Sequence, residues 1–167
     1  MIEIIKNGIR FFVLLLLQIA IFNRIEISIF LSPMIIVMFI ISLPFTTPKS
    51  IILISSFFLG LFVDIFMNTP GILSFTAVLI AYIRPFVLLT LEPREGYFIG
   101  SSPKVVDLGW NWFFQYSIIL TIFFHFIYFV ILGFGQDNFL IMIWKTIISS
   151  AFTLFFIFLY QLFVTKN

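Results

Sequence analysis

Asp64 is the residue whose chemistry is hardest to explain by its surroundings, because it lies in the apolar run GLFVDIFMNTPG at positions 60–71. A carboxylate in such a run could relay a proton, bind a ligand or contact a partner protein. If the run is helical, small and polar residues recur every four positions on one face: Ser56, Gly60, Asp64 and Asn68. Asp64 is therefore the first candidate for a functional group.

The single histidine, His125, raises a second chemical possibility. An imidazole beside a serine such as Ser149 could indicate a hydrolase. However, the sequence contains no G-x-S-x-G motif and no complete set of nucleophile, base and orienting group. With no cysteine and one histidine, thiolate catalysis and multi-histidine metal sites are excluded. We predict no enzymatic activity, no catalytic residue and no metal or cofactor.

Two stripes of polar residues at helical spacing give His125 a structural alternative. One stripe contains Ser117, Thr121, His125 and Tyr128, and the other contains Thr146, Ser149, Ser150 and Thr153. Hydroxyl and imidazole groups commonly join helices in membranes through hydrogen bonds worth about 0.6–2 kcal/mol. We predict that the stripes face each other as an interhelical polar seam, with Ser149 as the partner of His125.

The composition indicates a membrane protein. Apolar residues make up 62% of the chain and charged residues 10%, whereas soluble domains average about 45–50% and about 25%. Several apolar runs approach the roughly 20 residues that a membrane-spanning helix requires. No basic tail or cluster suits nucleic acid, which is therefore not an expected partner. We predict an all-α integral membrane protein in which residues 1–167 form a single membrane domain.

Polar residues, prolines and glycines divide the apolar runs into six predicted transmembrane helices. They cover about 9–22, 28–43, 51–67, 71–91, 112–134 and 139–163. The first two are short, and the first crosses a membrane only if the arginines at its ends snorkel or the helix extends toward the N-terminus. The expected fold is a compact six-helix bundle with one long loop at 92–111.

The distribution of lysine and arginine predicts the orientation of the chain. With the N-terminus in the cytoplasm, seven basic residues lie on the inner side: Lys6, Arg10, Lys49, Arg84, Arg94, Lys104 and Lys166. Only Arg24 and Lys145 lie outside. Cytoplasmic segments are enriched in basic residues, so we predict that both termini and the 92–111 loop are cytoplasmic.

A tight hairpin of the third and fourth spans would give Asp64 a structural role. Folding the chain about the turn between them brings Asp64 level with Ser74, and Gly60 level with Ala77 or Val78. The N-terminal end of a helix favours an anion, so we predict that Asp64 accepts hydrogen bonds from Ser74 and from backbone N–H groups beside it. The alternative that Asp64 contacts a proton, a ligand or a partner protein stays open.

Arg84 lies at the other, cytoplasmic end of the fourth span, too far away to pair with Asp64. The expected role is that of an interfacial residue whose side chain snorkels to the membrane surface. The alternative is a pairing site, with Glu92 or an anionic lipid head group as the partner.

The segment FFLGLFVDIFMNTPGILSFTAVLIAYIRP, residues 57–85, resembles the MreD family of bacterial rod-shape (elongasome) membrane proteins. The shared features are a G-L-x-x-D segment, a following glycine, and a helix of small residues that ends in Ala-Tyr. Gly60, Leu61, Asp64 and Gly71 carry this motif. The chain length, the six predicted spans, the inside termini and the glutamine in LLLLQIAIF are also similar to the family.

The resemblance implies a non-enzymatic membrane scaffold of the complex that guides lateral peptidoglycan synthesis and cell shape. It also implies the bacterial inner membrane as the location. The implied partners are MreC, the actin-like MreB, the polymerase RodA and a penicillin-binding transpeptidase, together with membrane lipids. The family offers no catalytic residue to transfer.

The same resemblance supplies an alternative function. The family is similar in fold to the substrate-binding subunits of energy-coupling-factor vitamin transporters, which also have six membrane helices. A vitamin-type binding subunit would need a pocket with several convergent polar groups near the outer side. The predicted outer loops, NTPG and GFGQDN, are short and offer few such groups.

Overall fold

The protein is helical throughout its regular structure in the computed structural model, which describes residues 2–24, 31–98, 101–135 and 138–166. The helices, in chain order, are α1 Ile2–Ala20, α2 Val37–Ser42, α3 Lys49–Met67, α4 Ile72–Thr90, α5 Val105–Leu132 and α6 Phe139–Lys166. A 3₁₀ turn, Phe22–Arg24, follows α1. The predicted all-α class is confirmed.

Four of these helices, α3 to α6, are long and apolar enough to cross a membrane. Large apolar side chains cover their outward faces, and Phe66, Phe86 and Phe163 are each more than half exposed. Such a surface is compatible with lipid, because lipid tails are as apolar as the side chains. The chain is therefore a membrane protein, as its composition predicts.

The prediction that residues 28–43 form one continuous, membrane-length helix is wrong. Residues 28–30 lie outside the described residues, 31–36 are not α-helical, and α2 has only six residues. Pro33 disfavours helix in the residue before it, and Pro44 holds Leu43 in an extended conformation with ψ 136°. The helical part is apolar on every side because it is buried against α1, α3, α4 and α5.

Segment 31–43 runs antiparallel to α1. Gln18, near the C-terminal end of α1, hydrogen-bonds Pro33 and Ile35, whereas Arg10, further toward the N-terminus, hydrogen-bonds Ser42. α1 begins at Ile2 rather than near residue 9. The extension toward the N-terminus that a first crossing would require is therefore part of the helix.

A compact turn joins α3 and α4. Asn68 ends α3 in the left-handed conformation with φ 53°, and Gly71 precedes α4 with φ 78°. Asn and Gly adopt this conformation with less strain than other residues. The chain thus reverses over 68–71 and returns the start of α4 beside the last turns of α3.

The second hairpin is formed by α5 and α6. Gly109 has non-helical dihedral angles (φ 80°, ψ 165°), so regular helix resumes close to the predicted start at residue 112. The first residues of α5 belong to the predicted loop 92–111, which is correspondingly shorter. Phe114 packs edge-on against Phe158 of α6 with ring centroids 4.4 Å apart. The members of both predicted polar stripes are buried.

Candidate functional site

Asp64 lies 3% exposed inside the α3–α4 hairpin and accepts four hydrogen bonds. Its Oδ1 accepts the Thr69 hydroxyl at 2.6 Å and the Leu73 N–H at 3.0 Å. Its Oδ2 accepts the Ser74 N–H at 2.8 Å and the Ser74 hydroxyl at 2.6 Å. The contacts predicted from the sequence, with Ser74 and with backbone N–H groups at the start of α4, are confirmed.

These four donors use the whole accepting capacity of the carboxylate, which has about four lone-pair sites. Two of them are N–H groups in the first turn of α4, which lack partners within the helix. The positive end of the helix dipole also favours the negative charge at this position. In this conformation Asp64 therefore joins the two helices and has no lone pair left for a ligand.

Gly60 allows the two helices to approach at the level of Ser74. A Cβ atom added at Gly60 would lie 2.6 Å from Ser74 Cα and 2.8 Å from Leu73 C. The predicted level, at Ala77 or Val78, is wrong by about one helical turn. The turn at 68–71 folds back along α3, so α4 begins beside the last turns of α3 and not beyond its end.

The remaining motif residues act mainly through the backbone. The Asn68 N–H donates to Asp64 O as the C-cap of α3, while the Asn68 side chain is exposed. Gly71 donates its N–H to Thr69 O at 2.8 Å and supplies the positive φ before α4. Leu61 is half-buried in α3. Asn68 and Gly71 therefore shape the turn that presents the α4 N–H groups to Asp64.

Arg84 is not an interfacial snorkelling residue, because its side chain is only 2% exposed. Its Nε donates to the Tyr116 hydroxyl at 2.8 Å, and its Nη2 donates to the carbonyl of Leu43. Glu92 is not among the partners of Arg84 in the described part of the chain. The expected snorkelling is therefore wrong: Arg84 points into the bundle, toward the end of α2.

Three side chains satisfy the last carbonyls of α2. Arg84 binds Leu43 O, Arg10 donates to Ser42 O at 3.0 Å, and the Tyr116 hydroxyl lies 3.4 Å from Ile41 O. The carbonyls at a helix C-terminus have no partners within the helix, and they attract cations. Arg84 and Arg10 therefore cap a helix end that is largely buried in the bundle.

We expect Tyr116→Phe to destabilise the protein by about 1–3 kcal/mol, because the buried Nε–H of Arg84 loses its acceptor. Tyr82→Phe is the matched control, since Tyr82 lies 59% exposed on α4, and we expect it to stay within about 0.5 kcal/mol of the parent. Unfolding in detergent of both tyrosine variants, of Arg84→Met and of the double variant Tyr116→Phe/Arg84→Met measures the coupling between Tyr116 and Arg84. If the losses of stability from Tyr116→Phe and Arg84→Met simply add, the hydrogen bond between the two side chains contributes nothing, and this prediction is contradicted.

His125 is fully buried, and both of its ring nitrogens have partners. Nδ1 lies 2.9 Å from Thr121 O, and Nε2 lies 3.2 Å from the Thr153 hydroxyl. The polar faces of α5 and α6 therefore meet as predicted, but His125 faces Thr153, one turn along α6 from the predicted partner Ser149. The Ser149 hydroxyl accepts the Ser32 N–H at 3.0 Å.

Side chains from both ends of the chain hydrogen-bond the backbone N–H and C=O groups of the irregular segment 31–36. Besides Ser149, the Thr153 hydroxyl accepts the Met34 N–H at 3.2 Å. From α1, Gln18 accepts the Ile35 N–H at 2.7 Å and donates to Pro33 O at 3.1 Å. Non-helical backbone at membrane depth is tolerated only where protein or water satisfies it. Polar side chains within membrane spans commonly join helices, so a hydrogen-bonding role of Gln18 is expected. Its partner is an irregular segment, for which Pro33 is the sequence signal.

We expect Gln18→Leu to lower stability by on the order of 2–4 kcal/mol, because it leaves the Ile35 N–H and the Pro33 carbonyl unpaired. Gln161→Leu is the matched control: Gln161 is equally buried, but in the described part of the chain its Nε2 has no hydrogen-bond partner. Gln161→Leu should be neutral or stabilising. The thermal midpoints of the two variants in detergent test this contrast, and equal midpoints would contradict it.

The segment after α4 is held by two aromatic residues. The Tyr97 hydroxyl donates to Leu88 O at 2.7 Å, and Trp112 Nε1 donates to Leu91 O at 2.8 Å. Phe45 packs against Tyr97 with ring centroids 4.5 Å apart. Burial raises the pKa of Tyr97 to about 12, so its hydroxyl remains protonated and donates at neutral pH. These contacts fix the end of α4 to the start of α5.

The end of the bundle near Asp64 offers little room for a small molecule. The cavity bordered by Gln18, Asn23, Pro33 and Met67 has a volume of only about 20 Å³, whereas ligand pockets usually enclose about 300–1,000 Å³. Among the described residues, no group of three or more His, Cys, Asp or Glu side chains could hold a metal ion. Asp64 and Gln18 at this end hydrogen-bond within the fold, whereas Nδ2 of Asn23, which also borders the cavity, has no partner among the described residues.

No family model matches the chain, and neither a curated protein nor a solved structure is significantly similar to it.

Proposed function

We propose that this chain is a member of the MreD family and a non-enzymatic scaffold of the rod-shape complex, which guides lateral peptidoglycan synthesis and cell shape. The α3–α4 hairpin carries the proposal. Gly60, Asp64 and Gly71, on which the resemblance rests, are the residues that allow close approach, join the helices and shape the turn. A motif that builds a rigid hairpin suits a protein that works by presenting surfaces.

The engagement of the polar groups supports a role without catalysis. A general base must present a nitrogen or oxygen to the substrate, yet both His125 nitrogens bond to the fold. The Asp64 carboxylate is likewise occupied by Thr69, Leu73 and Ser74. These two groups, the strongest chemical candidates in the sequence, therefore have structural partners.

The proposed topology has six crossings of the bacterial inner membrane, with both termini cytoplasmic. The antiparallel arrangement of α1 and segment 31–43 supports two crossings before α3. The excess of lysine and arginine at the end that contains Lys6, Arg84 and Lys104 supports the orientation.

The proposed partners bind through the lipid-facing surfaces and the segment between α4 and α5. MreC would contact the bundle through its transmembrane helix, and RodA with its transpeptidase would contact another helix face. MreB would reach the complex from the cytoplasmic side. Affinity between helices in lipid comes from close packing and hydrogen bonds, and a rigid bundle loses little conformational freedom on binding.

A pull-down of the tagged protein from its native membrane tests the proposal. We expect mass spectrometry to identify MreC or a peptidoglycan polymerase among the co-purifying chains. An unrelated membrane protein with the same tag and similar abundance is the control. Recovery of an ATPase pair together with a bound small molecule would contradict the scaffold function and support the alternative, a vitamin-type binding subunit.

A further inference from the structure

A groove of about 520 Å³ runs between α1 and α6 on the outside of the bundle. Its floor includes Ile35 and Met38, which belong to the buried segment 31–43. Its walls are apolar side chains such as Val13 of α1 and Phe156 of α6. Segment 31–43 lies deep in the bundle between α1 and α6. The two long helices are therefore separated on the outer side of this segment, and the groove between them is open to the membrane.

One end of this groove is basic. Lys6 and Arg10 line it, and no acidic residue appears among the described residues of the lining. The two side chains are four positions apart on α1 and therefore share a face. Arg10 is held in place because its Nη1 donates to Ser42 O at 3.0 Å and to Asn7 Oδ1 at 3.3 Å. Lys6 is exposed.

We propose that this groove binds an anionic phospholipid, with the phosphate between Lys6 and Arg10 and an acyl chain against Val13 and Phe156. The arrangement repeats the polarity of such a lipid, since positive charges lie at one end and apolar side chains along the rest. Basic pockets between membrane helices commonly bind anionic lipid head groups. The proposal does not depend on the function proposed above.

A partner helix fits the charges less well than a lipid does. A helix in this groove would have to place a carboxylate at the level of Lys6 and Arg10, because charges left unpaired among apolar groups are costly. A phospholipid brings its negative charge to the head-group depth of the membrane, and its tail is apolar. The groove therefore matches a ligand that the membrane itself supplies.

Native mass spectrometry tests the site. The purified protein is mixed in detergent with equal amounts of phosphatidylglycerol and phosphatidylcholine, and the lipids that stay bound after the detergent is removed are identified. We expect the parent protein to retain phosphatidylglycerol preferentially. Lys6→Gln should weaken the apparent affinity for phosphatidylglycerol by about fivefold and so lower the retained fraction, the effect expected of one basic residue near an anionic lipid. Leu159→Trp should also reduce it, because Leu159 lines the groove and is 39% exposed.

Lys49→Gln is the matched control, because Lys49 is an exposed lysine that lies outside this groove, and retention should be unchanged. Equal retention of both lipids, or retention unaffected by Lys6→Gln and Leu159→Trp, would overturn the proposal. A photo-crosslinking residue at Val13 in native membranes gives a second readout: a lipid adduct supports the proposal, and an adduct with a polypeptide assigns the groove to a partner helix. Because purified protein is sufficient for the lipid measurement, its failure is distinguishable from failure of the pull-down.

Discussion

Asp64→Ala is expected to have the largest effect of any single substitution described for this chain. It leaves the N–H groups of Leu73 and Ser74 buried without an acceptor. An unsatisfied buried donor costs about 1–3 kcal/mol, so the total loss should reach at least about 3 kcal/mol. In a chain of this size, that loss lowers the midpoint of thermal unfolding by on the order of 10 °C.

Graded variants test whether the effect comes from the hydrogen bonds. Asp64→Asn keeps one accepting oxygen and should lie between Asp64→Ala and the parent. Thr69→Val removes a single donor from Oδ1 and should be the mildest change. The amount of folded protein in size-exclusion chromatography and the thermal midpoint give two readouts. Glu95→Ala, at an exposed carboxylate in the segment after α4, controls for loss of charge.

The same series separates a structural role from a partner contact. If Asp64 mainly joins the helices, Asp64→Ala lowers the amount of folded protein. If it mainly contacts a partner, folded protein stays constant while recovery of the proposed partner MreC in the pull-down falls. Normal amounts of folded protein together with normal recovery would contradict both roles.

Gly60→Ala should separate α3 from α4 although it adds only one carbon atom. The new Cβ would meet backbone atoms of Ser74 and Leu73 at 2.6–2.8 Å, and backbone cannot rotate away as a flexible side chain can. Overpacking of this kind costs about 1–3 kcal/mol. The shift also lengthens the hydrogen bonds of Asp64, so we expect a loss near the upper end of that range.

Gly8→Ala is the matched control for Gly60→Ala. Gly8 is an exposed residue of α1, and a Cβ there would meet nothing within 4 Å. Alanine is favoured over glycine in a helix by up to about 1 kcal/mol, so Gly8→Ala should be neutral or stabilising. Thermal unfolding of both variants under identical detergent conditions gives the comparison. Similar midpoints for both would show that the close approach at Gly60 is not required.

Helix faces could be predicted from the sequence, but the registers between helices could not. Repeats of small and polar residues identified the faces on which Asp64 meets Ser74 and on which His125 meets α6. Gly60, however, lies beside Ser74 and not Ala77 or Val78, and His125 faces Thr153 and not Ser149. Reflecting a chain about its turn assumes a symmetrical connection, and an asymmetric one shifts the register by about a turn of helix, roughly 5 Å.

The roles of α2 and Arg84 could not be predicted for a different reason. A segment surrounded by lipid and a segment surrounded by protein can both be apolar on every side, so hydropathy does not distinguish a short buried helix such as Val37–Ser42 from a continuous membrane-length helix. A sequence that reads as a continuous span shows no helix end at Leu43, and therefore no buried acceptor for Arg84. Only the three-dimensional arrangement brings Leu43 O and Tyr116 to it.

The irregular segment at 31–36 also constrains the order of biogenesis. Ser32 and Met34 receive their hydrogen-bond partners from residues 117 and 119 positions later in the chain. At about 5–20 residues per second, a ribosome needs on the order of ten seconds to make that intervening length. Until α6 emerges, these N–H groups must remain near water, in the translocon or under a chaperone. The last helix therefore completes the burial of one of the first segments synthesised, and a chain that stops before α6 would expose that segment to quality control.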